Sequence, residues 1–181
     1  SWATKNDISV GLRLAAALAP FWRLQARLTE GRNWLEQFLT QDQVGDNSYL
    51  ILKAKALQAA CILAWCQGDS FAGFAMGEES VAIFRELNGK PHLANALYAL
   101  AVASFSFPDS ADTLPLLEEC IDLFKEYNYP TGLAKALCIY GWKLYTRGEK
   151  KLGFSLINEG YHLTQQYGML HLLAHVENEL G

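Results

Sequence analysis

The sequence is poor in the signatures of most kinds of chemistry. Its 181 residues contain no G-x-x-x-x-G-K-[ST], no C-x-x-C, no H-E-x-x-H and no G-x-S-x-G. The phosphate cradle of a nucleotide hydrolase, a zinc-finger ligand pair, a zinc-protease helix and a hydrolase nucleophile elbow are therefore all missing. Val, Ile and Thr do not alternate over any sustained run, so no strand signal arises. Positive charge is also scarce. Fifteen Lys and Arg face nineteen Asp and Glu, for a net charge of −4, and no basic run exceeds Lys150-Lys151. A nucleic-acid surface needs clustered cations to replace phosphate counterions, and this chain offers none. The apolar run Leu14 to Trp22, flanked by Arg13 and Arg23, is too short to span a bilayer and lacks the cleavage site of a signal peptide. Only four cysteines occur, at 61, 66, 120 and 138. They read as reduced, buried thiols of a cytoplasmic protein. No metal or cofactor site is expected.

What the chain does have is apolar material, 51% of residues, and a period. Ala54-Lys55-Ala56-Leu57 returns as Ala94-Asn95-Ala96-Leu97 and again as Ala134-Lys135-Ala136-Leu137, at an interval of 40 residues. Gly68-Asp69 becomes Pro108-Asp109 and Gly148-Glu149. Trp65 becomes Phe105 and Tyr145. Phe84 becomes Phe124, then Thr164. A fixed period in this range marks stacked supersecondary units.

In chain order, residues 7–25 have helical spacing through Leu12, Ala15, Ala19 and Trp22, with Pro20 expected to kink the run. A second helix carries Gly31, Trp34, Leu35 and Phe38, and turn formers fill 43–48. The first helices of the regular repeats are expected over 48–66, 92–106 and 131–147, the second over 70–87, 110–127 and 150–167, from apolar residues at i, i+3, i+4 and i+7. Asp69, Asp109 or Ser110, and Glu149 stand where second helices start, at the positive end of the helix dipole. A further first-type helix is expected over 169–181. The repeats thus run over about 7–42, 48–87, 91–127 and 130–167, as one domain over 1–181. The start at Ser1-Trp2 without methionine points to a fragment of a longer chain.

Short side chains recur where helices must cross. They are Cys61, Gly73 and Ser80, then Ala101, Thr113 and Cys120, then Gly141, Gly153 and Gly160. The opening repeat has Ala19 and Gly31, but Phe38 where a small residue belongs. Small residues let helix axes approach so that their ridges interlock. These residues resemble tetratricopeptide repeats (TPR), although 40 residues exceed that family's usual 34. The resemblance implies an all-α, right-handed α-α superhelix, a solenoid of antiparallel helix pairs. The stretches Phe21-Trp22-Arg23-Leu24 and Leu28 to Glu36 are further similar to the helical-repeat region of large bacterial regulators. These are STAND-type signal-transduction ATPases, including LuxR-type activators of the maltose-regulon kind. That resemblance implies covalently attached ATPase and DNA-binding modules in the parent chain, and no nucleic-acid or membrane contact from this region.

In the TPR family the first helices line a concave groove. Carried over, the partner or effector groove would hold Lys55, Gln58, Ile62 and Trp65, then Asn95, Tyr98, Val102 and Phe105, then Lys135, Cys138, Trp142 and Tyr145. Rings beside amides and ammoniums suit a partner peptide or helix. Tyr98 and Trp142 do not recur as rings, so they are the repeat-specific candidates. His171 and His175 share a helical face as a metal pair would, but no general base accompanies them, and they read as solvated or packing residues. Glu78-Glu79, Glu118-Glu119 and Glu159 recur with the period and read as a solvated flank. The function expected is non-catalytic: a protein- or peptide-binding, signal-sensing module of a bacterial transcriptional regulator. The alternative is a small-molecule sensor with an enclosed apolar pocket.

Overall fold

The computed structural model describes residues 2–41, 45–106 and 113–168. All its regular elements are helical. They are α1 (Trp2–Leu24), α2 (Leu28–Leu39), α3 (Asn47–Cys66), α4 (Ser70–Glu86), α5 (Lys90–Ala103), a 3-10 turn (Ser104–Ser106), α6 (Thr113–Glu126), α7 (Pro130–Thr146) and α8 (Lys150–Gln166). The expected helix at 169–181, with His171 and His175, lies outside the described residues, as does the Pro108-Asp109 turn.

The helices separate into two compact units, Ser1–Ala111 and Asp112–Gly181. The sequence reading treats 1–181 as one domain; the division falls inside its third repeat, so α5 and α6 belong to different units. In the N-terminal unit α3 is central, packing against α1, α2, α4 and α5. Its core joins Leu12, Trp22 and Leu35 to Ala56, Ala60 and Leu63, and a smaller cluster joins Cys61 to Ala99 and Ala103. By length and composition α3 is apolar enough to cross a membrane. Here part of its apolar surface is buried against neighbouring helices, and Lys53 on the same helix reaches Glu79 of α4 at 2.6 Å. In the C-terminal unit α7 packs on both α6 and α8.

Among the described residues one complete turn geometry recurs five times. Ala26, Gly68, Asn88, Asn128 and Gly148 all have positive φ, between +49 and +98°. In each case the next residue's N–H donates to the carbonyl five positions back: Arg27 to Trp22, Asp69 to Ala64, Gly89 to Phe84, Tyr129 to Phe124, Glu149 to Leu144. This left-handed C-terminal cap satisfies carbonyls that a helix end leaves open. Glycine and asparagine tolerate the conformation, whereas Ala26 holds it against its own Cβ. Pro91 and Pro130 then open α5 and α7, where a missing N–H costs nothing.

Pro20 sits inside α1, which runs past it to Leu24. Helix α5 stops at Ala103 and tightens into a 3-10 turn. There the Ser104 hydroxyl donates to the Leu100 carbonyl at 2.7 Å, a back-bond that bends helices. Asp69 caps α4 by accepting from the Ala72 N–H at 3.3 Å, but Glu149, at the equivalent place before α8, makes no side-chain cap bond.

Small residues sit at the helix crossings. A Cβ added to Gly141 would lie 2.5 Å from the Gly153 carbonyl oxygen, and one on Gly160 would lie 2.8 Å from that of Ala134. Two of the polar or thiol crossing residues bond across. Ser80 donates to the Ala54 carbonyl at 2.8 Å, and Cys61 to the Ala99 carbonyl at 3.3 Å.

Candidate functional site

Nine of the twelve groove candidates keep an outward place on first-type helices and the adjoining 3-10 turn. Lys55, Gln58 and Trp65 lie on α3, Asn95 and Tyr98 on α5, and Phe105 in the 3-10 turn. Lys135, Trp142 and Tyr145 lie on α7. All nine retain solvent exposure, eight of them half-buried and Tyr145 exposed. Two other positions in the same pattern do not. Val102 and Cys138 are buried, and the Cys138 thiol points at the Ile157 carbonyl of α8. Ile62 is partly buried against the Cys61, Ala99 and Ala103 cluster. A helix turning 100° per residue offers one narrow stripe outward, and the residues beside it are spent on packing.

On α7 the Trp142 and Tyr145 rings stack, with centroids 6.1 Å apart and planes 11° from parallel. The Lys150 ammonium sits 5.8 Å from the Tyr145 ring centre, within cation–π range. In the N-terminal unit, Lys55 faces His92 at the start of α5. Burial, and then the Lys55 charge, hold the His92 imidazole below its usual pKa. His92 also packs on Phe84, with centroids 5.5 Å apart.

The recurring glutamates are more than a solvated flank. Glu79 pairs with Lys53, and Glu118 accepts a 2.6 Å hydrogen bond from the Tyr140 hydroxyl. Both tie one helix to its neighbour. Glu78 and Glu159 are exposed. Arg32 on α2 forms a second tie that the repeat pattern does not announce. It reaches Glu36 at 2.6 Å and Asp69 at 2.7 Å, and donates to Gln67 at 3.2 Å. Its guanidinium and the Ala72 N–H together hold the Asp69 carboxyl below the usual range. Three of the four thiols, Cys61, Cys120 and Cys138, are buried, and Cys66 is half-buried. Burial pushes Cys61 up to about 12 and Cys138 up to about 11, and raises Cys120 further. No group of three or more metal-binding side chains occurs among the described residues.

The sequence reading did not single out a concavity on α1. A cleft of about 380 Å³ opens between α1 and α2, lined by Gly11, Leu14, Leu18, Trp22, Trp34 and Phe38 among others. Its walls are solvent-facing: Leu14, Leu18, Phe21 and Trp34 are each about half exposed. The available signal was the width of the apolar arc on α1, broader than burial on one side requires.

No family model matches the sequence, and no curated protein matches it. Among solved structures, the chain is similar to the crystal structure of aspartyl phosphate phosphatase F from Bacillus subtilis, with a TM-score of 0.71 at 12% identity. The match covers 93% of this chain and 44% of that one, so the chain spans less than half of its structural neighbour. The likeness concerns the fold, which is all-α and of the TPR-like helical-repeat class.

Proposed function

We propose that this chain is a non-catalytic interaction and regulatory module that binds a protein or peptide segment through its first-type helices. The observation that carries the reading is the half-exposed aromatic residues standing on those helices at repeat-specific positions, Tyr98 and Trp142. A packing ring repeats with the architecture; these two do not. Large aromatic side chains with one face open are the usual anchors of recognition. The TPR-like fold supports the same reading.

The finer proposal is that the module is cytoplasmic and belongs to a bacterial STAND/LuxR-type transcriptional regulator. A bound segment would shift the helical array between two arrangements and so bias attached ATPase and DNA-binding modules. The small-molecule alternative requires an enclosed pocket, and the α1–α2 cleft is open along its wall.

The test is selection of a displayed random peptide library on the whole chain, followed by titration of the enriched peptides. Tyr98→Ala and Trp142→Ala are expected to weaken binding at least tenfold while the helical spectrum and unfolding midpoint stay unchanged. Unaltered affinity in both variants removes these helices as the binding surface.

A further inference from the structure

Charge is sorted by helix type. In the N-terminal unit α2 carries Glu30 and Glu36, and α4 carries Glu78, Glu79 and Glu86. Helices α3 and α5 contain no Asp or Glu at all. Asp46, which precedes α3, is spent on its cap, accepting from the Tyr49 N–H at 3.0 Å. The C-terminal unit sorts its charges the same way: α7 has no acid, whereas α6 has four and α8 one. An amphipathic helix needs polar residues on its open face, but nothing in packing fixes their sign.

The first-type helices of the N-terminal unit turn cations and amides outward. Lys53 and Lys55 are two residues apart, so they point about 200° apart around α3. Lys53 reaches Glu79 on α4. Lys55 stands on the other side, where its charge acts on the His92 imidazole of α5. From Leu93 to Ala103 every residue of α5 is buried except Asn95 and Tyr98, so the open stripe of that stretch is an amide and a phenol. Forty residues earlier, the matching positions on α3 are Lys55 and Gln58. Lys55, Gln58 and Asn95 make no hydrogen bond or ion pair to another described residue. The crossing residues Ala19 and Gly31 answer to Cys61 and Gly73 at an interval of 42, and by that interval Arg13 on α1 answers to Lys55. Arg13 is exposed. Since α1 packs on α3 and α3 on α5, three neighbouring helices present Arg13, Lys55 and Asn95 at one level of the repeat.

We infer that the partner bound by the first-type helices of this unit is an acidic segment: an extended stretch of protein with Asp or Glu at alternate positions and an apolar residue beside them for Tyr98. This rests on the proposal that these helices bind a protein segment, and adds the chemistry of that segment. Ammonium, guanidinium and amide N–H groups donate, and a carboxylate only accepts. Packed helices lie about 8–10 Å apart, and alternate side chains on one face of an extended chain lie about 7 Å apart. Successive carboxylates can therefore be shared between neighbouring helices. A basic segment is repelled by Arg13 and Lys55 and drawn instead to the glutamates of α2 and α4, so the same sorting rejects wrong partners. Pairs as open as these are screened by salt.

The test uses three displayed libraries of 12-residue internal segments, random except that alternate positions are fixed as Glu, Gln or Lys. Each is selected on the whole chain, and the enriched peptides are titrated against Lys55→Glu, Lys151→Glu, Tyr98→Ala and Trp142→Ala. Lys151 is exposed on α8, so Lys151→Glu makes the same change in net charge away from the surface. The helical spectrum and unfolding midpoint serve as controls, and Lys55→Gln repeats the test without introducing a charge. The expected result is enrichment from the Glu library. Its peptides lose at least tenfold in affinity on Lys55→Glu, on Tyr98→Ala and between 0.05 and 0.5 M NaCl, and less than twofold on Lys151→Glu. Enrichment from the Gln or Lys library instead, with binding lost on Tyr98→Ala, overturns the acidic partner and leaves the surface standing. Equal losses on Lys55→Glu and Lys151→Glu overturn it too, since the attraction is then general. A 16-mer of oligothymidylate that displaces the peptides, binds as tightly and is lost on Lys55→Glu overturns it and assigns the cations to nucleic acid. Enriched peptides indifferent to both Tyr98→Ala and Trp142→Ala, or no enrichment at all, remove the surface and the acidic partner together.

Discussion

The ring of Phe38 lies against Gly11, so close that a Cβ at position 11 would sit 2.4 Å from the ring carbon Cε1. This contact accounts for the opening repeat's departure from the pattern. The small residue expected on the second helix, at 38, stands instead on the first helix, at 11. The crossing keeps its combined bulk and exchanges which helix supplies it.

Gly11→Ala tests how that ring is held. Alanine improves helix propensity by about 1 kcal/mol, and overpacking costs about 1–3 kcal/mol. Phe38 borders the open cleft, so its ring has room to move. The two effects are expected to offset within about 1 kcal/mol in urea unfolding. A much larger loss would show the ring is fixed.

Gly141→Ala should behave differently. Its new methyl meets the Gly153 backbone oxygen at 2.5 Å, and a backbone cannot swing aside. The helices α7 and α8 must separate, at a cost of about 3 kcal/mol or more. Gly153 meets Gly141 reciprocally, so Gly141→Ala with Gly153→Ala should cost less than the sum of the single losses. Equilibrium denaturation of the three variants measures this directly.

Ala26 adopts φ +54° at a turn whose equivalents are glycine or asparagine. Ala26→Gly removes the clash of Cβ with the backbone, which costs about 1–2 kcal/mol in the left-handed region. Glycine's extra freedom in the unfolded chain takes back part of this. A net gain of about 0.5–1 kcal/mol is expected, read as a rise in the unfolding midpoint.

His92 makes stability depend on pH. Its folded-state pKa lies below the ordinary value of 6.5, first through burial and then through Lys55. The unfolded chain therefore takes up the proton first as pH falls. Stability from this residue is intact above the unfolded pKa and is lost as pH drops from there through the lowered folded value. Denaturation midpoints between pH 7.5 and 5 should fall, and His92→Gln should flatten the slope. An unchanged slope would place the proton uptake elsewhere.

Much of the fold was legible because it is local. From α3 onward most described helix ends coincide with a proline, a glycine or asparagine in the left-handed cap, or an aspartate at the N-terminus. The site was less legible because burial depends on the neighbour. Val102 and Cys138 share the pattern of the groove candidates, yet they are covered. Rings also change places between repeats. Phe84 packs on His92 beside Gly89, whereas Phe124 packs on Tyr129 beside Gly132. Position-by-position comparison reads these as two unrelated differences; in space they are one conserved pair of rings supplied from either side of a turn.

By itself the sequence determined the helices, their pairing by short turns and the 40-residue register, since these follow from backbone preference and from side chains three and four residues apart. Only the tertiary structure decided that α1 keeps an uncovered stripe beside a cleft, that Arg32 clasps Asp69, and that the helices gather into two units. Those outcomes depend on which surfaces meet across tens of residues, and a linear pattern of apolar residues shows that a face will be buried without naming what buries it.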